Sequence, residues 1–460
     1  MSDPMYPESV LVANRGEIAR RVVRTARALG IKTIVVHHPV DAGLPFVAEA
    51  DEAVCIDRTP PVSAYLDVEA IVEAGRRAGA ASVHPGYGFL AENADFARAV
   101  ETAGMVWVGP RPETIEEMGD KIRARHTVAR AGVPVGGGSG EALPSAEAAL
   151  AEAAAIGYPV MLKASAGGGG IGMVVVEEEA RLAGAFDSVT AAAARNFGSS
   201  AVFMERFIAS ARHIEVQILG LADGRIVALG ERDCSVQRRH QKIAEETPAP
   251  RLAPEVRSRL LDAAVRAGQS VDYRGAGTVE FLLDAHSGEF VFLEMNTRIQ
   301  VEHPITEMTC GVDLVEQQLN IAAGGPSTFR DEALDPMGHA IELRLCAEDP
   351  KRFFPSPGTI DTWREPSGPG VRVDAGYGAG DEVTPHFDPL VAKLCVHADD
   401  RASAIEKARR ALADLEVTGL VTNAPFLARL LDSEPFISGD YDTSIVQAIG
   451  ATQPDRSATR

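Results

Sequence analysis

Two apolar runs joined by a short glycine-bearing connection constrain this chain more than any other feature. Gly277-Thr278-Val279-Glu280-Phe281-Leu282-Leu283 precedes Asp284-Ala285-His286-Ser287-Gly288-Glu289, and Phe290-Val291-Phe292-Leu293 follows it. A connection of this length with a glycine near its end closes an antiparallel hairpin. The second run is apolar on both faces and grows directly into Glu294-Met295-Asn296-Thr297-Arg298-Ile299-Gln300-Val301-Glu302-His303, which Pro304 ends. Read as extended chain, alternate positions aim Glu294, Asn296, Arg298, Gln300 and Glu302 to one side, and Met295, Thr297, Ile299 and Val301 to the other. A half-buried strand with a solvated face alternates in the same way. A comb of charges emerging from a strand buried on both faces favours a site instead.

A five-residue loop places Glu280 opposite Glu294 on the same face. Like charges directly across an antiparallel pair destabilise it, so the arrangement calls for a cation. Two carboxylates and the Asn296 amide oxygen form an all-oxygen donor set suited to Mg²⁺ or Mn²⁺, with phosphates filling further positions.

Composition narrows the class. A net charge of -20 argues against a nucleic-acid footprint or an anionic membrane surface as partner. Five scattered cysteines (Cys55, Cys234, Cys310, Cys346, Cys395) contain no C-x-x-C pair, which fits a reducing cytoplasm better than disulfides or zinc. The N-terminus reads as no signal peptide, and no apolar run approaches membrane-spanning length. At 460 residues, two or three domains are expected.

Along the chain, Val10-Leu11-Val12-Ala13 reads as a buried strand that Asn14-Arg15-Gly16-Glu17 turns into a helix; Gly30 ends the helix and Ile31 to Val36 is the next strand. This is a βαβ unit without G-x-G-x-x-G, so a dinucleotide site is not supported. His84-Pro85-Gly86-Tyr87-Gly88-Phe89-Leu90 lies at a strand end, as a ligand-facing loop or a plain turn. A second unit opens at Met118-Gly119-Asp120-Lys121. There Tyr158 to Lys163 and Met173 to Val176 are strands on either side of Ala164-Ser165-Ala166-Gly167-Gly168-Gly169-Gly170-Ile171-Gly172. The glycine run is therefore a hairpin tip, able to bring backbone N–H groups to phosphate oxygens and to move as a lid. Lys163 at the strand end can point into the same site, where a nucleotide phosphate would pair it.

Ala201 to Ile208 and His213 to Ile218 are further strands. Glu231 to Lys242 is dense in cations inside an acidic protein, as a solvated basic loop or a segment that faces an anion. From about Gly338 a third region begins with the strand His339 to Cys346, which carries Glu342 and Arg344 on one face. Short strands with Gly and Pro turns follow, then a helix from Ala402 to Leu415.

With these features in place, the chain closely resembles the biotin carboxylases, which are ATP-grasp enzymes. Carrying the resemblance are Ala13-Asn14-Arg15-Gly16-Glu17-Ile18, His84-Pro85-Gly86-Tyr87-Gly88-Phe89, Arg232-Asp233-Cys234-Ser235 with Gln237-Arg238-Arg239-His240-Gln241-Lys242, Glu294 through His303, and Ala347-Glu348-Asp349-Pro350. It implies an α/β and α+β architecture: a βαβ N-terminal domain at 1–119, an ATP-grasp domain at 120–330 with a glycine-hairpin lid at about 136–208, a mixed β/α C-terminal domain at 336–448, and a flexible tail at 449–460. Members activate bicarbonate with ATP as carboxyphosphate and transfer the carboxyl group to N1′ of biotin.

On matching positions, the resemblance assigns ATP to Lys121, Lys163, Gly169, Gly170, Glu205, Arg206, Phe207, Ile208, His213, Gln237 and His240, with Glu280 and Glu294. It gives Mg²⁺ or Mn²⁺ to Glu280, Glu294 and Asn296, the set the hairpin argument reached by itself. Arg298, Gln300, Lys242 and the Val301 backbone would bind bicarbonate, and Glu302 would be the base. Arg344 would stabilise the biotin enolate, with Tyr87 lining the biotin site. No Met-Lys-Met biotinylation motif occurs, so biotin is expected on a separate carrier protein, with the carboxyltransferase subunit of the same system as another partner. An acetyl-CoA or propionyl-CoA carboxylase of fatty acid biosynthesis, a homodimer and a cytoplasmic location are the further expectations.

Two departures stand out: Ile171 where the family usually has Arg or Lys, and Ala166 where it often has Gly. Loss of a lid cation is expected to raise the KM for ATP without abolishing activity, which a titration of Ile171→Arg checks. Two other readings compete. Another ATP-grasp carboxylate–amine ligase would share Lys163 and the metal carboxylates but has no need of Arg298-x-Gln300-x-Glu302 or Arg344. A regulatory nucleotide-binding subunit that has lost catalysis is suggested only by Ile171.

Overall fold

The computed structural model describes residues 5–165, 172–326 and 336–451. Strand β1 (Ser9–Val12) is buried along its whole length, as a parallel strand covered on both faces must be. It passes through Asn14-Arg15 into helix α1 (Gly16–Ala28), and β2 (Lys32–His37) returns parallel to it. With β3 (Glu52–Cys55), β4 (Ser82–His84) and β5 (Val106–Trp107) the sheet runs β3-β2-β1-β4-β5, all parallel. The order reverses between β1 and β4, and a crevice opens at the carboxyl ends of strands at such a point. Both loops leaving that crevice are tied together there. Asn14 Nδ2 donates to Pro85 O at 2.7 Å and to Tyr87 O at 2.8 Å. Gly86 has φ +63°, and a Cβ on it would lie 2.9 Å from Asn14 Nδ2, so a side chain at 86 would break the tie.

Helix α2 (Lys121–Arg130) starts where the sequence places it, with Asp120 capping the amides of Ile122 and Arg123 at 3.0 Å each. Strands β6 (Val160–Ala164), β7 (Met173–Val176) and β8 (Val202–Arg206) make a small antiparallel sheet in the order β7-β6-β8. Lys163 pairs with Met173, so the glycine run does sit between hairpin strands. Its tip, including Ala166, Gly169, Gly170 and Ile171, lies outside the described residues, as does most of the expected tail. Strand β8 ends at Arg206, short of Phe207 and Ile208.

The largest sheet has eight antiparallel strands. They are β9 (Ala211–Gly220), β10 (Ile226–Arg238), β11 (Gln241–Thr247), β12 (Gly275–Asp284), β13 (Phe290–Asn296), β14 (His339–Cys346), β15 (Val371–Ala375) and β16 (Leu390–Ala398). Their order is β13-β12-β9-β10-β11-β14-β16-β15. Glu245 of β11 pairs with Glu342 of β14, so the strands after residue 336 continue this sheet rather than starting a new one. All ten residues of β9 are buried. Helix α3 (His303–Cys310) packs against β10, β11, β14 and β16 and covers the sheet where the charged residues converge.

Two sequence expectations need correction. Glu280 does face Glu294, but the run of pairs Leu283–Phe290, Leu282–Val291 and Phe281–Phe292 would have put Leu293 there; a bulge at that point supplies the extra residue. The comb is also not one long strand. β13 ends at Asn296, and residues 297–302 form bends and a turn, with Glu302 at φ -81° and ψ 13° preceding α3. These Gly-free bends still bring Arg298, Gln300 and Glu302 to the same centre: Arg298 meets Gln300 at 3.1 Å, Gln300 meets Glu280 at 3.2 Å, and Glu302 meets Lys242, which also holds Glu280.

Candidate active site

Register assembles the centre. Glu294 of β13 pairs with Glu280 of β12, Glu280 with Glu215 of β9, and Glu215 with Arg232 of β10. Three carboxylates thus stand side by side across adjacent strands, with one guanidinium at the end of the row. Glu215 and Arg232 are fully buried, and Arg232 Nε meets Glu215 Oε1 at 2.6 Å. Of the two readings of 231–242, the solvated basic loop fails: β10 runs through Arg238, and only Arg239 and His240 form an exposed turn. Their φ values of 51° and 66° are those of a two-residue hairpin turn normally built from Asn and Gly. A non-glycine pair held there costs about 1–2 kcal/mol per residue.

Lys242, on the strand after that turn, is the hub. Its Nζ donates to Glu215 at 2.5 Å, to Glu280 at 3.1 Å and to Glu302 at 2.5 Å. Arg344 Nη2 binds the other Glu302 oxygen at 3.0 Å, while its Nε donates to Glu245 at 2.6 Å. Glu302 is thus fully buried and gripped from both sides. Burial pushes its carboxyl up, but Lys242, Arg344 and Arg232 together hold it well below the usual carboxylate range. Glu280 is likewise raised by burial and carried lower by Lys242 and His213, whose Nε2 lies 2.9 Å from its Oε2. Glu215 goes the other way, raised by burial because its two cations are shared with its carboxylate neighbours.

Beside this centre, Arg298 donates to Asn296 Oδ1 at 2.9 Å, to Gln300 Oε1 at 3.1 Å and to Glu92 at 2.8 Å. Asn296 and Gln300 both donate to Glu280 Oε1, at 2.9 and 3.2 Å. The Val301 carbonyl accepts from buried Lys393 at 2.9 Å, so an anion could meet only the Val301 N–H. Tyr87 donates to Glu17, which lies 3.0 Å from the same Lys393, and the positive field of Arg344 reaches the phenol.

The carboxylates fit a divalent cation with one rearrangement. Glu280 and Glu294 are adjacent and oxygen-only, and Lys121 Nζ lies 3.5 Å from Glu294 Oε2. Asn296 turns its amide nitrogen, not its oxygen, toward Glu280, so joining the donor set requires a flip of that amide. His213, Glu215 and Glu280 form a second group close enough to share an ion.

Of the residues expected around a nucleotide, His213 and Lys121 touch the carboxylate row, at Glu280 and Glu294. Lys163 is buried and pairs with Glu205, which Arg125 also grips. Burial, Lys163 and His213 all lower the pKa of His240, which puts the hairpin tip close to both. Gln237 stands directly across from Lys242, and Phe207 and Ile208 are half-buried just past β8.

Sequence reasoning missed Glu215, Glu245, Lys393 and Glu92. Glu215 had a signal: His213, Glu215 and Gln217 alternate along one strand, and only the first was singled out. Glu245, Lys393 and Glu92 had none, because each acquires its importance from a partner more than 40 residues away.

Residues 6–115 match the model of the biotin carboxylase N-terminal domain, 120–328 that of the carbamoyl-phosphate synthase L chain ATP-binding domain, and 342–448 that of the biotin carboxylase C-terminal domain. The chain is 48% identical to biotin carboxylase 2 of Bacillus subtilis, covering 95% of this chain and 98% of that one. It is 45% identical to a pyruvate carboxylase subunit of Methanothermobacter thermautotrophicus, over 95% and 89% of the two chains. Among solved structures, the biotin carboxylase domain dimer of Hydrogenobacter thermophilus 2-oxoglutarate carboxylase, in complex with MgADP, ADP and bicarbonate, superposes with a TM-score of 0.94 at 42% identity, covering 98% of this chain and all of that one. Likeness on this scale, over a centre of clustered carboxylates and cations, settles the family: the chain belongs to the biotin carboxylases, ATP-dependent ligases that carboxylate biotin.

Proposed function

We propose that this chain carboxylates biotin presented on a separate carrier protein, as the first half-reaction of an acetyl-CoA or propionyl-CoA carboxylase. One observation supports the residue roles above the others: Glu302, fully buried, has Lys242 on one oxygen and Arg344 on the other, with Arg298 and Gln300 alongside. A buried carboxylate held between two cations that it shares with other carboxylates can serve as a base beside an anion site.

Bicarbonate is a poor nucleophile, so base and anion clamp must converge on it. Arg298, Gln300, Lys242 and the Val301 N–H would hold the anion. Glu302 is ionised, as a base must be, but its cations weaken it as a base. When bicarbonate draws Lys242 and Arg298 to itself, Glu302 regains basicity and takes the bicarbonate proton. The freed oxygen attacks the γ-phosphorus as the bond to ADP breaks, with Lys242 beside the transferring phosphoryl group. Lys121, Lys163, Glu205 to Ile208, His213, Gln237 and His240 would position ATP, with Gly169 and Gly170 supplying backbone N–H groups. Glu280, Glu294 and Asn296 would hold Mg²⁺ or Mn²⁺, which neutralises phosphate oxygens when bound. Carboxyphosphate would then release its phosphate, which takes the N1′ proton as the carboxyl carbon bonds to N1′, while Arg344 stabilises the negative oxygen of the biotin ureido group and Tyr87 lines that pocket.

The domain division at 119/120 and near 330, the homodimer, the carboxyltransferase partner and the cytoplasmic setting belong to the same proposal. Among the described residues no helix is long and apolar enough to cross a membrane. The identity with a pyruvate carboxylase subunit supports a second acceptor, pyruvate, loaded through the same half-reaction.

The test is ADP release with ATP, Mg²⁺ and free biotin, with and without bicarbonate. Bicarbonate-dependent release stimulated by biotin is expected. Release indifferent to bicarbonate would replace this reading by a carboxylate–amine ligase, and ATP binding without release by a regulatory subunit. Transfer from carboxylated carrier to acetyl-CoA, propionyl-CoA or pyruvate in reconstituted mixtures then decides the acceptor.

A further inference from the structure

Behind Arg344, away from the reacting groups, lies a pair of carboxyl groups that no step above uses. Glu245 on β11 and Glu342 on β14 are direct cross-strand partners. Their side chains therefore leave the sheet on the same face, with Cβ atoms about 5 Å apart. Both are fully buried, at 1% and 0% exposure. Glu245 gives one oxygen, Oε1, to Arg344. Glu342 accepts on Oε2 from the Cys395 thiol at 3.4 Å. The other oxygen of each, Glu245 Oε2 and Glu342 Oε1, is buried without a hydrogen-bond partner. Two unsatisfied acceptors on adjacent side chains cannot both be carboxylate oxygens without a large desolvation penalty, whereas one proton between them satisfies both.

We propose that Glu245 and Glu342 share a single proton, and that this pair, rather than a lone carboxylate, orients Arg344 for biotin. Glu342 donates from Oε1 to Glu245 Oε2, leaving Glu245 Oε1 as the charged acceptor for the Arg344 Nε–H. The pair then carries one negative charge, enough to fix the guanidinium and too little to pull it away from Glu302 and the biotin oxygen. Glu245 is in this sense a positioning residue.

The surroundings agree. Groups facing the pair are Lys242 on β11, Cys234 on β10, Arg344 and Cys346 on β14, Glu302 before α3, and Lys393 and Cys395 on β16. Cations there are already committed: Lys242 to three carboxylates, and Lys393 to the Val301 carbonyl and Glu17. Burial raises the Glu245 carboxyl to about 7, with Arg344 lowering it and Glu302 raising it, and burial raises Glu342 well above its ordinary value.

This inference rests on the reading of Arg344 as the group that meets biotin, but its first test does not. Infrared spectra of the full-length protein at pH 8, in H₂O and D₂O, should contain a protonated-carboxyl C=O stretch that disappears in Glu342→Gln and equally in Glu245→Gln. In each variant the new amide donates to the remaining carboxylate. A band lost in Glu342→Gln alone would mean a proton held by Glu342 without sharing; a band kept in both would mean no proton there. Either result overturns the proposal. The second test is the pH profile of kcat/KM for biotin, read by bicarbonate-dependent ADP release. Glu342→Gln should move the neutral limb to lower pH by about one unit, because an amide donor replaces a competing carboxyl beside Glu245. Glu245→Gln should lower kcat/KM for biotin on the order of tenfold, with the KM for ATP unchanged. A profile in Glu342→Gln that superposes on the parent would also overturn the proposal. An absence of biotin-stimulated turnover in the parent would instead sink the function while leaving the infrared result standing.

Discussion

Strand β11 carries two adjacent buried glutamates on opposite faces, and they live in different electrostatic worlds. Glu246 has every oxygen committed: to His339 at 2.6 Å, to Arg401 at 2.7 and 2.9 Å, and to Tyr441 at 2.5 Å. Its carboxyl is lowered to about 2; burial opposes this, and hydrogen bonds and charge from His339 and Arg401 prevail. Glu245 has one oxygen on Arg344, the other facing no partner but the proton proposed to be shared with Glu342, and a carboxyl raised to about 7. The same residue type, one position apart and equally buried, is a structural anchor on one side and a group short of cationic partners on the other. Burial of charge, then, does not mark a site. A shortage of partners does, because partners left over for substrate are partners missing from the fold.

Neutralising one carboxylate on the crowded face puts this contrast under the greatest strain. Glu302→Gln should lower bicarbonate-dependent ADP release by about 10²–10⁴-fold, the range a lost general base spans. Because Glu302 competes with Glu215 and Glu280 for Lys242, the midpoint in urea should hold or rise. A fall in stability that matches the loss of activity would show the crowded face to be as structural as the other.

Next in size is Glu246→Gln. Removing one partner of a fully satisfied buried cluster costs about 3–5 kcal/mol, because Arg401 and His339 stay behind unpaired. Equilibrium denaturation should show that loss, with kcat for ADP release little changed. The wild-type protein carries the same signature in acid. The folded carboxyl titrates near 2 against an ordinary 4.5, so its contribution is present above pH 4.5 and is lost as pH falls toward 2.

For Glu245 the sign reverses. A folded value near 7 against an ordinary 4.5 means that folding opposes ionisation, so the penalty is absent below pH 4.5 and grows as pH rises toward 7. Glu245→Gln should therefore gain about 2–3 kcal/mol in urea at pH 8 and nothing at pH 4. Opposite pH slopes for the two glutamine variants would confirm that the faces differ in kind; parallel slopes would erase the distinction.

The sequence makes the crowded face readable only as far as local pattern extends. The hairpin, the Glu280–Glu294 pairing, the βαβ unit and the strands around the glycine run all follow from periodicity and turn residues. The pairing survived a wrong count, because the bulge at Leu293 restored the register that a simple hairpin would have shifted. What local pattern could not supply is which strand lies beside which. Glu215 becomes the middle of a carboxylate row only because β9 sits between β12 and β10, and Glu245 meets Arg344 only because β14 joins β11 across the start of the third region. The comb failed as a single strand for a related reason. Glu302 has to reach Lys242 and Arg344 from the mouth of a helix, a position that no alternation of side chains encodes.

The smallest effect on stability is expected where the crowded row meets solvent. Lys121 and Glu294 lie 3.5 Å apart with 19% and 33% of their side chains exposed, so water screens the pair and its loss should cost under about 0.5 kcal/mol. Lys121→Met should leave the urea midpoint almost unmoved. Yet Lys121 stands at the first turn of α2, facing a carboxylate that shares its row with Glu280, where ATP phosphates and their cation are proposed to sit. The KM for ATP should therefore rise about tenfold, a single charge-assisted contact, while the KM for bicarbonate stays put. This separation of a large binding effect from a negligible folding effect is what a group reserved for substrate must show. If Lys121→Met instead destabilised the fold and left the ATP titration alone, the edge of the row would belong with Glu246 among the anchors, and partner shortage would no longer distinguish site from scaffold.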